Sequence, residues 1–249
     1  MKHGNAQSRS LVRATGRCCS SLRSQATTKC LLSFRHRACS KALRSLAIFQ
    51  SITRPYKASI HLEERAHAGE AEAQLRLGVL YIEGRGVERD YAQALVWLRR
   101  AAEQGNPKAQ NNVGALYAEG KGVTADYQQA RYWYEQAAQQ GDTRAEINLG
   151  TLYCMGLGVP ADCQEGARWV LKAAQQGDAT AEEMLATLYM RGEGMPHDHI
   201  SAYVWLVRAA HQNDRAATAL LERLRDHMTA DERTEAEQQL SIALHMRAH

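Results

Sequence analysis

A unit of 36 residues occurs four times without a gap, and this period constrains the fold more than any other feature of the chain. In the first unit, the segments LGVLY (77–81) and GRGV (84–87) are followed by Asp90 and Trp97. Steps of 36 residues give the units 71–106, 107–142, 143–178 and 179–214, with tryptophans at Trp97, Trp133, Trp169 and Trp205. A fixed period of this length is typical of stacked repeats, in which each unit buries its apolar faces against its neighbours.

The first half of each unit has the pattern of an amphipathic helix. In the first unit, Ala73, Leu77 and Tyr81 recur every four residues and therefore share one face. Gly84 and Gly86 follow, and glycine readily takes the left-handed conformation that closes a helix. We therefore predict a helix over about 71–83 that ends in a glycine turn.

The second half predicts another helix, which begins after Asp90 and ends at Gly105. The Asp90 carboxylate is placed to accept from the first free N–H groups, and Gln93 is spaced as its capping-box partner. The predicted apolar stripe consists of Ala94, Trp97, Leu98, Ala101 and Ala102. Small alanines allow two helix backbones to approach closely. We expect the tryptophan to fill the space between neighbouring pairs and the four tryptophans to be equally buried along one spine.

This consensus resembles the Sel-one-like repeat, a relative of the tetratricopeptide repeat. The resemblance covers residues 71–214 and includes the first glycine of the family pattern, present here as Gly78, Gly114 and Gly150. Ala186 replaces that glycine in the fourth unit, and Gly166 replaces the alanine found at Ala94. The resemblance implies an all-α, right-handed solenoid of helix-turn-helix repeats. Members of this family are mostly adaptors and assembly factors, so it implies little about chemistry.

Charge divides the chain into two parts. Residues 1–62 hold twelve of the 31 Lys and Arg residues and no acid, so the remainder carries nineteen basic and 27 acidic residues, a net charge of −8. An Arg- and Ser-rich, acid-free leader over 1–57 is typical of a mitochondrial transit peptide. The alternatives are a disordered segment, upstream sequence absent from the mature protein, or a basic arm. Without interleaved aromatic residues, no nucleic-acid partner is expected.

The ends of the repeat array carry partial units. Residues 58–70 resemble the second half of a repeat, since Ala66 and Gly69 lie one period before Ala102 and Gly105. Residues 215–249 predict two further helices, the last one started by a capping box of Thr229 and Glu232. A stack of repeats needs such caps because each unit buries only the faces that meet a neighbour.

Cys154 and Cys163 flank the turn of the third repeat, where its two helices meet. A disulfide between them is geometrically conceivable, and two independent reduced thiols are the alternative. Cys163 also lies at a predicted helix N-terminus, where the helix dipole favours a thiolate. The sequence leaves both states and the compartment open.

No pattern in the chain predicts catalysis, a metal or a cofactor. The GRG segment at 84–86 follows no strand and recurs as helix punctuation, so it is not a phosphate loop. Residues 197–199 read His-Asp-His, but Asp198 is the predicted helix cap and the ligand spacing of a zinc site is absent.

The remaining candidate site is the face formed by the first helices, which in tetratricopeptide-like stacks lines a concave groove. Two rows recur on this face: Arg76, Asn112 and Asn148, and, two turns later, Glu83, Glu119 and Arg191. Repeated asparagines can hold the backbone of a bound peptide, while the charges set specificity. The alternative is that both rows are solvated helix faces.

We therefore expect a non-enzymatic, monomeric adaptor or scaffold that binds a protein partner in its groove and has no transmembrane segment. The alternatives are a mitochondrial or periplasmic assembly or quality-control factor with a redox-active cysteine pair, or a β-lactam-binding hydrolase. A transit peptide would place the protein in mitochondria. Otherwise a bacterial cytoplasm or periplasm is expected.

Overall fold

The computed structural model describes residues 61–212 and 214–247, with side chains as far as residue 241. The predicted leader over 1–57 lies outside the described residues. Residues 61–67 form a short helical segment, and the described chain contains no strand. Ten helices follow: α1 (Ala71–Glu83), α2 (Tyr91–Glu103), α3 (Pro107–Glu119), α4 (Tyr127–Gln139), α5 (Thr143–Met155), α6 (Cys163–Gln175), α7 (Ala179–Arg191), α8 (His199–His211), α9 (Arg215–His227) and α10 (Ala230–Arg247). The protein is an all-α helical repeat solenoid.

The predicted helix ends are confirmed. Gly84 closes α1 in the left-handed conformation, with φ at 69°, and its N–H donates to the Leu80 carbonyl. The Asp90 carboxylate accepts from the backbone N–H groups of Ala92 and Gln93 at the start of α2. The same caps recur in each repeat, so the local signals of the sequence place every turn.

The capping-box role predicted for Gln93 is wrong. The backbone N–H of Asp90 donates instead to the carbonyl of Tyr81, at 3.0 Å. Asp126, Asp162 and Asp198 bond in the same way to Tyr117, Tyr153 and Tyr189, at 2.8–3.1 Å. Since the turn itself satisfies this N–H, no side chain has to reach back to it. The capping box predicted at the start of α10 is confirmed: Thr229 N–H donates to Glu232, and Glu232 N–H donates to the Thr229 hydroxyl.

Each tryptophan joins its own repeat to the preceding one, as predicted. Trp133 of α4 packs in one cluster with Leu98 and Ala102 of α2 and with Val113 of α3. Trp169 and Trp205 pack on the corresponding clusters one and two repeats later. Burying such a large side chain between repeats is worth several kcal/mol, about 3–5 when it is replaced by alanine.

The prediction of equal burial is wrong, however. Trp97 and Trp133 are each 7% exposed, whereas Trp169 and Trp205 are only half-buried. An additional ring covers each of the first two edge-on: His67 lies 4.9 Å from Trp97, and Tyr132 lies 5.1 Å from Trp133. The spine is therefore continuous but more open toward its C-terminal end.

In each of the first three repeats the two helices touch at a glycine. A Cβ built on Gly114 would lie 2.7 Å from the Tyr134 ring and 3.1 Å from the Ala130 carbonyl oxygen. Gly78 and Gly150 face Leu98 and Val170 just as closely. The fourth repeat admits Ala186, which is fully buried. Glycine is therefore needed at this position in the first three repeats, where any side chain would collide with the second helix.

A second glycine in each turn fits against the preceding repeat. A Cβ on Gly122 would meet the backbone of Tyr91 and Ala92 at the start of α2. Gly158 and Gly194 meet Tyr127 and Cys163 in the same way, whereas Gly86, which has no repeat before it, meets nothing within 4 Å. The turn of one repeat is thus seated on the second helix of the repeat before it.

A ladder of buried polar side chains runs beside the apolar spine, and the sequence analysis missed it. It consists of Gln74, Gln110, Glu146 and Glu182, which are at most 5% exposed, each bound by Gln104, Gln140, Gln176 or Gln212 of its own repeat at 2.7–3.0 Å. In the first two repeats the glutamine also donates to a carbonyl of the preceding unit, Ala66 or Ala102. Each of these four buried side chains therefore has a hydrogen-bonding partner within its own repeat.

The ladder becomes charged in its second half. Glu146 cannot donate, and Lys172 supplies the missing donor, with its Nζ 2.8 Å from Glu146 Oε1 and 3.0 Å from the Ala138 carbonyl oxygen. Arg208 neutralises Glu182 in the same way, with its Nη2 2.6 Å from Glu182 Oε1. The exchange of glutamine for glutamate therefore comes with a cation that neutralises it, as burial of a charge requires.

Both ends of the array are covered. On the first repeat, Leu62 and Ala66 of the segment 61–67 pack with Leu77 and Trp97. At the other end, α9 and α10 cover the fourth repeat with the buried apolar side chains of Ala217, Leu221, Leu224, Met228 and Ala236. The solenoid therefore presents no bare repeat face within the described residues.

The close helix contact at Gly114 predicts that a larger residue there lowers the stability of the protein. Gly114→Ala should lower the free energy of unfolding by about 1–2 kcal/mol, because overpacking costs about 1–3 kcal/mol and exceeds the gain of about 1 kcal/mol in helix propensity. Urea unfolding followed by circular dichroism measures the change. Ala186→Gly is the matched control and should lose about 1 kcal/mol from helix propensity, in addition to the packing of its buried methyl group. A stabilised Gly114→Ala protein would show that the contact is loose.

The buried ion pair of Glu146 and Lys172 also predicts how substitutions change stability. Lys172→Met leaves Glu146 buried beside a single donor and should cost about 2–3 kcal/mol, less than the roughly 3–5 kcal/mol of a fully buried pair because Lys172 is 47% exposed. The double variant Glu146→Gln/Lys172→Gln copies the residues of the second repeat, Gln110 and Gln136. It should recover most of the loss in the same unfolding experiment. Equal losses in both variants would contradict a role for the buried charge.

Candidate binding groove

A groove of about 700 Å³ opens along the first helices of the repeats, and we call it the binding groove. Its apolar floor is formed by Leu62 of the first segment and by Leu75, Val79 and Leu80 of α1. Leu75 is buried, and the other three are half-buried. The groove thus offers apolar surface at its N-terminal end.

Two adjacent amides of α3 line the groove beside this floor. Asn111 is 7% exposed, and its Oδ1 accepts a hydrogen bond from Asn148 of α5 at 2.9 Å. The Nδ2 of Asn111 and the whole amide of Asn112 form no hydrogen bond with the described part of the chain, and both residues line the groove. Asn111 is therefore held at its acceptor and presents its donor to the groove.

The predicted row of Arg76, Asn112 and Asn148 is divided by the structure. Arg76 and Asn112 line the groove, with Arg76 paired to Glu72 at 2.9 Å. Asn148 does not line the groove itself, but it donates to Asn111 and fixes the orientation of that amide. The sequence analysis missed Asn111, whose repeat position carries Leu75 and Ile147 in the neighbouring units. An amide at a position that is apolar in the first and third repeats was the signal that could have revealed it.

Two further cations lie at the edge of the groove. Lys108 and Arg144 share one repeat position, both line the groove, and both are exposed. Neither forms an ion pair with a described residue. The helix caps Asp142 and Asp178 line the same edge, so the rim carries both signs of charge.

The second predicted row does not reach the groove. Glu83 and Glu119 end their helices and pair with Arg85 at 3.1 Å and Lys121 at 2.5 Å in the following turns. Arg191 lies 3.9 Å from Glu193 in the same way. Seven residues of helix place this row about 10 Å along the axis from the first row. These charges belong to the turns, and we do not include them in the candidate site.

Of the two states left open for Cys154 and Cys163, the structure contains the disulfide. The Cα atoms of the two residues are 4.0 Å apart, and the bond joins the end of α5 to the first residue of α6. Both side chains are half-buried.

The His-Asp-His segment forms a helix cap. Asp198 accepts from the N–H groups of Ile200 and Ser201 and from the Ser201 hydroxyl, at 2.5–3.2 Å. His199 lies 3.6 Å from Glu232 of α10, which ties the fourth repeat to the last helix. Among the described residues, no group of three or more His, Cys, Asp or Glu side chains could hold a metal ion.

The pKa of Asp198 reflects two opposing effects. Burial raises the pKa of this carboxyl, but the hydrogen bonds from the Ser201 side chain and from the two backbone N–H groups together hold it below its ordinary value of 3.8. Farther along the stack, burial, with Asp214 nearby, raises the pKa of Glu183. Glu183 occupies the same repeat position as Leu75 and Asn111, so this row of residues is acidic in the fourth repeat.

Comparison with protein families identifies the fold. The family model of the Sel1 repeat matches residues 71–106, 107–142, 143–178 and 179–214. The chain belongs to the Sel1 repeat family. Proteins with Sel1 repeats are generally protein-interaction scaffolds, and the family fold is generally non-catalytic.

Relatives of known structure support this assignment. A Sel1 repeat protein from Oxalobacter formigenes is 31% identical to this chain and superimposes with a TM-score of 0.65. The match covers 72% of this chain and 74% of the Oxalobacter protein. A protective antigen of uropathogenic Escherichia coli with the same repeat fold is 38% identical, with a TM-score of 0.65, over 72% of this chain and 39% of its own.

A shorter match joins this Sel1 repeat protein to the secretory immunoglobulin A-binding protein EsiB of Escherichia coli O6:H1. The two are 38% identical over 62 residues, which amount to 24% of this chain and 13% of the relative. The chain thus spans well under two thirds of EsiB and of the Escherichia coli antigen. In the part of the chain that the structure describes, every helix is too short or too polar to cross a bilayer.

The cap at Asp198 predicts a pH dependence. Asp198→Ala should lower the free energy of unfolding near neutral pH by about 1 kcal/mol, the usual value of an N-cap. Because the pKa is lowered on folding, this contribution is complete above the unfolded pKa and is lost as the pH falls through the folded pKa. The stabilities of wild type and variant should therefore converge as the pH falls through the folded pKa of Asp198, which lies below 3.8. A difference that stays constant down to pH 2 would contradict the assignment.

Proposed function

We propose that this Sel1 repeat protein is a scaffold that holds an extended segment of a partner protein in the binding groove. The observation that carries the proposal is Asn111, which is 7% exposed, is fixed by Asn148 and lines the groove with a side-chain donor that bonds to no described residue. Because its oxygen already accepts from Asn148, Asn111 can offer the groove only its N–H groups, which need an acceptor. A peptide carbonyl in the groove is such an acceptor.

The surroundings of Asn111 favour a peptide over a small polar ligand. The adjacent amide of Asn112 offers both a donor and an acceptor, as the backbone of an extended chain requires. The floor of Leu75, Val79 and Leu80 provides apolar surface for a side chain next to these backbone contacts. Polar anchoring beside an apolar floor is the usual composition of a specific binding site.

The partner class is supported by the family as well. Proteins of this family generally bind proteins, and the name of EsiB records binding to an immunoglobulin. The shared stretch with EsiB is short, so it supports a protein as the class of partner and no particular protein. Lys108 and Arg144 at the rim would then favour partner segments with acidic residues, mainly through the association rate.

A displayed library of random peptides, selected on the full-length protein, tests the proposal. Selected peptides should carry an apolar residue, and Asn112→Ala should weaken their binding about tenfold, the value of one hydrogen bond of about 1.4 kcal/mol. Lys108→Glu should reduce the association rate more than it raises the dissociation rate. Isothermal titration and surface plasmon resonance measure the two effects.

Tyr132→Ala provides the matched control, because Tyr132 is half exposed on α4 and does not line the groove. It should leave binding unchanged. Peptides that lose affinity with Tyr132→Ala but bind the Asn112→Ala protein normally would move the site to the other face. Circular dichroism of each variant ensures that a lost affinity is not a lost fold.

A further inference from the structure

Three departures from the repeat consensus meet at one point in the third repeat. They are Cys154 at the end of α5, and Cys163 and Gly166 in the first turn of α6. The same three positions carry Ile82, Tyr91 and Ala94 in the first repeat, Ala118, Tyr127 and Ala130 in the second, and Met190, His199 and Ala202 in the fourth. Chance substitutions would not be expected to fall together at one helix contact.

Gly166 makes the room that the disulfide needs. A Cβ built on Gly166 would lie 2.8 Å from the Cys154 sulfur and 2.7 Å from the Gly150 carbonyl oxygen. The alanine of the other repeats would therefore push α5 away from α6 at this level. Its removal allows the Cα atoms of the two cysteines to lie 4.0 Å apart.

The bond also lies at the junction with the fourth repeat. Gly194 of the next turn is seated on the backbone of Cys163, where a Cβ would collide with the carbonyl group. Met195, in the same turn, packs on the cluster that includes both cysteines. A change at the start of α6 therefore reaches the turn of the following repeat.

We propose that Cys154–Cys163 is a redox modification site, which small monothiols of the glutathione class open and their disulfides close. Both cysteines are only half-buried, so we expect a small thiol to reach the bond in the folded protein, whereas a disulfide in a closed core would be shielded. The proposal is independent of the proposed binding function.

The exchange proceeds in two balanced steps. The thiolate of the small thiol attacks Cys154 Sγ, a mixed disulfide forms there, and Cys163 leaves as a thiolate that the N-terminus of α6 stabilises. A second small thiolate attacks the sulfur of its own kind in the mixed disulfide. Cys154 leaves as a thiolate, the small disulfide is released, and two electrons have passed from the two small thiols to the protein.

Thiol trapping on the full-length protein tests the proposal, with Cys18, Cys19, Cys30 and Cys39 replaced by serine. Protein prepared in air, denatured and treated with N-ethylmaleimide should take up no label by intact mass. The folded protein should take up two labels after exposure to millimolar reduced glutathione, and an intermediate adduct should map to Cys154. Two labels without glutathione, or none after it, would overturn the proposal.

Reduction should lower the thermal midpoint by about 5–10 °C, the value for a short closed loop in a unit of this size. The Cys154→Ser/Cys163→Ser protein is the control: it should start at the lower midpoint and not respond to glutathione. An unchanged midpoint in the reduced wild type would show that the bond does not control the packing of the third repeat.

Gly166→Ala tests the origin of the site. At a fixed ratio of reduced to oxidised glutathione, it should shift the equilibrium toward the dithiol at least tenfold. Ala130→Gly, at the same position in the second repeat, should leave the equilibrium unchanged. A Gly166→Ala protein that holds the bond as firmly as wild type would refute the role of Gly166. If this variant does not fold, the trapping experiment still decides the proposal.

Discussion

The structure depends on how closely two helix backbones approach within each repeat. At Gly114 there is no space for even one methyl group between α3 and α4, and Gly78 and Gly150 repeat this contact. Because the helices are so close, the alanines of the second helix can complete the core, and one tryptophan per unit suffices to fill the gap to the preceding repeat. Small residues thus set the geometry, and the tryptophan supplies the buried area.

The polar ladder solves the problem that this close packing creates. Carbonyl groups at the end of each second helix face the next repeat and are removed from water. Gln74 and Gln110 satisfy them in the first half of the stack, and Lys172 and Arg208 do so in the second half. The same requirement is met in two chemical ways, and each buried glutamate of the charged version has a cation of its own repeat beside it.

Most of the fold could be predicted from the sequence because its signals are local and repeated. The caps at Asp90 and Gly84 and the pairing of Thr229 with Glu232 all depend on residues within one turn. The polar ladder could not be predicted from the sequence, because a buried glutamine beside an apolar stripe has the same sequence pattern as a solvent-exposed one. The residues of the candidate site could be predicted in part: Asn112 follows from periodicity, but the contact of Asn148 with Asn111 joins two helices and has no sequence period.

The seat of each turn on the preceding helix restricts how the chain can change in length. Gly122 must reach the start of α2, and Gly158 and Gly194 must reach the starts of α4 and α6. An insertion or deletion of a whole 36-residue unit keeps every such contact. Each unit carries both a turn glycine and the helix start on which the next turn packs, so the units that become neighbours still fit. Any other length displaces a glycine from the backbone it must meet. The array can therefore grow or shrink by duplication of entire modules, whereas smaller additions are confined to its two ends.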